Sequence, residues 1–116
     1  MATFLLFVYG TLKRGGVRHR ALEGQPFLGE ARTLPRHALL DLGAYPGLVP
    51  GEDSVHGELY DVDALRRPLL DELEGAPRLF ALAPVELDDG RAAWAYHYRG
   101  GGPGPRLASG RWENPA

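Results

Sequence analysis

The stretch Leu70-Asp71-Glu72-Leu73-Glu74-Gly75 carries the acidic side chains best placed for chemistry. Asp71 and Glu74 stand three apart, so on a helix they share a face, whereas Glu72 points elsewhere. Glu74 falls in the final turn, where the carbonyl ends of the helix disfavour negative charge. That raises its pKa, and partial burial raises it further. A carboxyl poised nearer neutrality can take and return a proton, which general acid/base catalysis requires. The same residues also read as a solvated acidic helix end capped by Gly75. A second constellation is Tyr9-Gly10-Thr11-Leu12, where an apolar run ends in glycine. A sharp turn there presents successive N–H groups that bind a carboxylate or oxyanion without a charged side chain; the alternative is a plain turn. A third is Gly43 to Gly51 (GAYPGLVPG), either the wall of a pocket or a structural crossover.

Other chemistries are excluded by residue type. Gly10-x₄-Gly15 has the spacing of a phosphate-binding loop, but Gly16 stands where the lysine belongs and no Ser or Thr follows for magnesium. There is no G-x-G-x-x-G after a strand and no G-x-S-x-G, and the only serines are Ser54 and Ser109. The chain has no cysteine, which removes disulfides, thiolate metal sites and a thiol nucleophile together. His19, His37, His56 and His97 show no H-x₃-H pairing. His56 and Glu58 share a strand face at ligand-like spacing, yet they read equally as ordinary strand polar residues. No metal and no organic cofactor is expected.

These residues need elements to hold them. Thr3 to Tyr9 (TFLLFVY) reads as a strand buried on both faces, and Thr11 to Gly16 as a polar loop. Val17 to Glu23 suggests a short helix stopped by Gly24. Strands are predicted over Arg36–Leu42 and Val55–Val62, with Gly43–Gly51 an ordered loop whose two Pro and three Gly argue against a regular element. Asp63 is a candidate N-cap for the stretch to Glu74, in which Leu65, Leu69, Leu70 and Leu73 fall at helical spacing. Pro68 either opens the true helix after a separate 3₁₀ turn or kinks it. Leu79–Leu87 and Ala92–Arg99 predict a hairpin through Asp89-Gly90. In its second strand Trp94, Tyr96 and Tyr98 share one face; both tyrosines read as cavity lining or as core. Residues 100–116 are expected to be a flexible connector and tail, with Trp112 able to dock. Many short strands with one or two helices give an α+β domain over 1–116, its sheet curled towards a barrel.

At 116 residues the chain suits one domain. Its net charge of −2 gives no electrostatic ground for a nucleic-acid partner. The twelve arginines against the single Lys13 read as composition bias. No segment approaches the ~18 apolar residues of a membrane span. The N-terminal apolar run is short and lacks a basic region, so it reads poorly as a signal peptide. A cytoplasmic protein without membrane partner is expected, and no pattern sets an oligomeric state.

The motifs together resemble the gamma-glutamylcyclotransferase-like family. They are Phe7-Val8-Tyr9-Gly10-Thr11-Leu12 with Gly15, Tyr45-Pro46-Gly47-Leu48, Val55-x-Gly57-Glu58-Leu59-Tyr60-x-Val62, Leu70-Asp71-x-Leu73-Glu74-Gly75 and Ser109-Gly110-x-Trp112. The resemblance spans nearly the whole chain. It implies a small mixed barrel-like sheet flanked by short helices, with a cavity over the loop after the first strand. It also implies that backbone amides of Tyr9, Gly10, Thr11 and Leu12 bind the substrate's α-carboxylate and that Glu74 is the catalytic acid/base. The implied partner is a small γ-glutamyl amine or amino acid, cyclised to 5-oxoproline with release of the free amine. Many members carry an aromatic and then an arginine after the glutamate-glycine pair. Here Phe80-Ala81-Leu82 lacks that arginine, which bears on substrate identity, and Arg78 is the nearest candidate in sequence. A non-catalytic small-molecule binding module on the same fold is the alternative, and a scaffold using an aromatic face around Trp94 a third.

Overall fold

Thr3–Val8 forms strand β1, and its side chains explain why the run is apolar throughout. Leu6 and Val8 enter one core cluster while Phe7 and the following Tyr9 enter another, on the opposite face. The computed structural model describes residues 2–115; Met1 and Ala116, the ends of the expected 1–116 domain, lie outside the described residues. Six more strands follow: β2 (Phe27–Arg32), β3 (His37–Asp41), β4 (Pro46–Pro50), β5 (His56–Asp63), β6 (Phe80–Glu86) and β7 (Ala92–Tyr98). Between β5 and β6 lies the helix α1 (Arg67–Leu73).

The strands make one mixed sheet in the order β2-β5-β1-β7-β4-β3, with β6 paired to β7. β1 is antiparallel to β5, with Leu6 opposite Tyr60, and parallel to β7. A bridge between Thr33 and Leu87 joins the chain beyond β2 to the chain beyond β6, curling the sheet towards closure. The fold is therefore α+β with a barrel-like sheet. Its helical parts are α1 and two 3₁₀ turns, His19–Leu22 and Ala64–Arg66. One core fills the sheet's interior around Phe7, Leu39, Leu48, Val55 and Leu59. The other lies between the sheet and the helical pieces, around Leu6, Leu22, Val62, Leu70 and Phe80.

Local chemistry accounts for the boundaries. Asp63 Oδ1 accepts the N–H of Leu65 at 2.9 Å and caps the separate 3₁₀ turn. α1 then begins with Pro68 in its first turn, where a missing N–H costs nothing. Gly75, at φ +62°, ends the helix in the left-handed region. The break at Arg66–Arg67 also shifts the phase of the leucine stripe. Leu70 is fully buried, but Leu65 is 83% exposed and Leu69 45%, so the expected single apolar face is split.

One other expectation is corrected. Pro46–Pro50, inside the segment expected to be irregular, is β4, antiparallel to β3 and parallel to β7 at Leu48–His97. Its prolines occupy the two ends of the strand, where they remove no central ladder donor. β2 was not legible in the sequence. Phe27, Leu28 and Glu30 are exposed on this edge strand and a register shift at Phe27/Gly29 breaks its alternation.

The contrast between Leu70 and Leu65 is measurable by urea unfolding. Leu70→Ala is expected to cost about 2–5 kcal/mol through the cavity it leaves. Leu65→Ala is expected to stay within about 0.5 kcal/mol.

Candidate active site

The site begins where β1 must leave the sheet. β6 takes one edge of β7; the other edge is shared, by β1 at Trp94 and by β4 at His97. Between those contacts the Tyr9 hydroxyl fills the seam. It donates to the carbonyl of Tyr96 at 2.5 Å and accepts the N–H of Leu48 at 3.2 Å. Burial and the nearby Glu74 push its pKa up, so it stays a neutral donor. Gly10 then turns away against Pro46, where a Cβ would stand 2.6 Å from Pro46 Cγ, so no other residue fits without displacement.

The peptides of the loop are oriented by their carbonyls. Gly10 O accepts the N–H of Lys13 at 3.0 Å, and Thr11 O accepts that of Arg18 at 3.0 Å. Leu12 O lies 2.9 Å from His19 Nδ1. In a trans peptide C=O and N–H point opposite ways, so the N–H groups of Thr11 and Leu12 are aimed away from these anchors. Among the described residues, the N–H groups of Gly10, Thr11 and Leu12 meet no acceptor. This leaves a row of amide donors free for an anion.

Glu74 faces the same space. Its N–H completes α1 by donating to Leu70 O at 3.0 Å, and its backbone, at φ −90° and ψ 0°, is the helix C-cap. Glu74 shares a narrow cleft, partly open to solvent, with Tyr9, Gly10, Thr11 and Leu12. Tyr45, Pro46, Phe80 and Tyr96 contribute walls. Glu74 is only 8% exposed. Burial pushes its pKa up to about 7, against the opposing pull of Arg18, whose Nη1 lies 3.7 Å from Oε2. In a helix of seven residues, desolvation rather than the helix end is the dominant cause. Among the described residues no side chain or amide donates a hydrogen bond to the Glu74 carboxyl, so its lone pairs face the cleft.

Asp71 has a different task. It accepts the Tyr96 hydroxyl at 2.7 Å and pairs with Arg67 at 3.4 Å, tying α1 to β7. Tyr96 thus lines the cleft and belongs to the core at once, whereas Tyr98 packs on Phe80 and its hydroxyl accepts the N–H of Gly102. Tyr45, from the glycine- and proline-rich segment, walls the cleft while Pro46–Pro50 runs on as β4. Glu58 is engaged by Tyr60 and by Arg14, so it is not free to act with His56 as a ligand pair. Among the described residues no three His, Asp or Glu side chains converge as a metal site.

The arginine beside Glu74 is Arg18, not Arg78. Arg18 donates to Leu73 O at 2.6 Å and its backbone holds Thr11 O, so it spans both halves of the site. Sequence reasoning missed it because 56 positions separate it from Glu74; its place in the expected Val17–Glu23 helix gave no signal.

Residues 6–114 match the family model described as gamma-glutamyl cyclotransferase, AIG2-like. A Vibrio cholerae protein carrying the name "Putative gamma-glutamylcyclotransferase" is 47% identical over 95 residues, 82% of each chain. The human gamma-glutamylaminecyclotransferase is 38% identical over 103 residues, 78% of this chain and 67% of that one. The crystal structure of a mouse AIG2-like protein superposes with a TM-score of 0.86 at 25% identity, covering 97% of this chain and 90% of that one.

The raised pKa of Glu74 has a sign that stability measurements can check. Its folded value of about 7 lies above the ordinary carboxyl value of 4.5 that holds in the unfolded chain, so the folded state holds this proton longer than the unfolded state. The stability this confers is complete below about pH 4.5 and is lost as pH rises through 7. Glu74→Gln, which cannot ionise, is therefore expected to gain up to about 3 kcal/mol over the parent at pH 8 and little at pH 4, read by denaturant unfolding at both. Equal effects at the two pH values would refute the burial assignment.

Proposed function

The chain belongs to the gamma-glutamyl cyclotransferase, AIG2-like family, and from that premise we propose that it cyclises a small γ-glutamyl amine or amino acid to 5-oxoproline. The observation that carries the reading is the meeting of an uncommitted carboxyl, Glu74, with the free amides of residues 10–12 in one cleft. The amides of Gly10, Thr11 and Leu12 hold the α-carboxylate of the substrate. Tyr9 contributes the seam that sets them, and the sequence expectation that its own amide takes part is kept in the proposal. With the carboxylate fixed there, the α-ammonium group falls towards Glu74.

The steps follow from these placements. Glu74, ionised, takes a proton from the α-ammonium. The freed amine attacks the γ-carbonyl of the same molecule and closes a five-membered ring. Glu74 returns the proton to the leaving nitrogen as the amide C–N bond breaks, and the attacking nitrogen loses its second proton through the same carboxylate to the departing amine, giving 5-oxoproline and the amine as its ammonium ion. The enzyme needs no nucleophile of its own, in keeping with a chain that has no cysteine. Holding amine and carbonyl in contact supplies up to ~7–11 kcal/mol in favourable cases. A positioned acid/base adds ~10²–10⁴-fold. A pKa near neutrality lets one carboxyl serve in both directions.

Glu74→Gln is expected to lower kcat by about 10²–10⁴-fold, measured as 5-oxoproline release from a γ-glutamyl amine panel by mass spectrometry. The same variant should retain binding of 5-oxoproline, because the amides are untouched. A folded parent that releases no 5-oxoproline across the panel, while still binding γ-glutamyl amines, would favour the binding-module reading. The acid limb of kcat/KM for the parent is expected near pH 7, rising with pH as Glu74 loses its proton.

A further inference from the structure

The chain beyond β7 returns to the site. Trp112 packs against the interior core, and its carbonyl accepts the Lys13 ammonium at 2.6 Å. Asn114 then reaches residue 10 across 104 positions, its Nδ2 donating to Gly10 O at 3.1 Å. The orientation of this side-chain amide is fixed from both sides. The indole N–H of Trp112 can only donate, and it meets Asn114 Oδ1 at 3.1 Å; Gly10 O can only accept, and it meets Nδ2.

We infer that Asn114 is a positioning residue for the carboxylate-binding loop, acting through the Gly10–Thr11 peptide. This rests on the proposed role of the loop amides. Gly10 O receives two donors, the Lys13 N–H and the Asn114 side chain. They hold that carbonyl away from the cleft, and the planar trans peptide turns the Thr11 N–H the opposite way. Two donors on one carbonyl also polarise its peptide, which makes the Thr11 N–H a stronger donor. Lys13, gripping Trp112 O, fastens the same loop to the same segment from the next turn. The ligand class that depends on Asn114 is therefore the carboxylate end of the substrate, while proton transfer at Glu74 does not.

Three variants separate this role from simple packing. Asn114→Ala loses both hydrogen bonds. Asn114→Asp keeps the acceptor for Trp112 Nε1 but loses the donor to Gly10. Asn114→Gln keeps both chemistries on a longer stem. The probe is 5-oxoproline, titrated into ¹⁵N-labelled protein, with kcat and KM measured alongside. Asn114→Ala and Asn114→Asp are each expected to weaken 5-oxoproline binding and raise KM by roughly 3- to 10-fold, the worth of one hydrogen bond. The Thr11 amide resonance should shift in both free proteins, the pH dependence of kcat should not move, and Asn114→Gln should recover part of the loss. Parent-like binding and an unshifted Thr11 amide in Asn114→Asp would overturn the inference, since Asn114 would then serve only Trp112. Because Asn114→Ala adds no charge, a loss confined to Asn114→Asp would be repulsion and would overturn it equally. A parent protein that neither binds nor forms 5-oxoproline sinks the carboxylate reading instead, and the Thr11 shift in the free variants still reads the peptide's dependence on Asn114.

Discussion

The site depends on one hydroxyl. Two strands run parallel to β7 on the same edge, and wherever β1 gives way to β4 the ladder is interrupted. The backbone carbonyl of Tyr96 and the N–H of Leu48 meet at that buried seam, beside the single β4–β7 bridge. The Tyr9 phenol satisfies both. It thereby lets β1 end abruptly, sends Gly10 out against Pro46, and opens a cleft at the place where the sheet is weakest. A phenylalanine would fill the same volume and lose both hydrogen bonds.

The electrostatics of the cleft follow from how few charges it contains. A carboxyl taken largely out of water resists ionisation, and Arg18, itself a third exposed at its side chain, offsets only part of that resistance. Full pairing would have left Glu74 permanently charged and inert as an acid. Asp71, one turn earlier on the same helix, shows the other outcome. Its Tyr96 and Arg67 partners make it a structural strut at the rim. Two carboxylates on one short helix thus take different work from their surroundings alone. The stability that Glu74 forfeits when ionised follows from burying a carboxyl with only one partial ion-pair partner.

Much of this was legible in the sequence. The two-faced apolarity of β1, the Asp63 cap, the position of Pro68, the Gly75 stop and the β6–β7 hairpin all follow from local rules, and the order of motifs carried the family. What escaped had physical causes. Pro46–Pro50 was hidden because composition was read without position: prolines at strand ends are harmless, and Gly47 admits the Tyr98 side chain closely, with an added Cβ lying 2.9 Å from it. β2 was hidden because an exposed edge strand has no buried face to impose alternation. Arg18 and Asn114 were hidden because their importance lies in partners 56 and 104 residues away. Contacts of that range leave no periodic trace.

The span of those contacts bears on how the protein comes into being. β1 is made well before its neighbour β7, and the carbonyl of Gly10 waits for a side chain at position 114. Closing such long loops is entropically slow, so an unfinished chain has few lasting contacts to offer its opening segment. Until residue 114 is made, the Gly10 carbonyl lacks its side-chain donor.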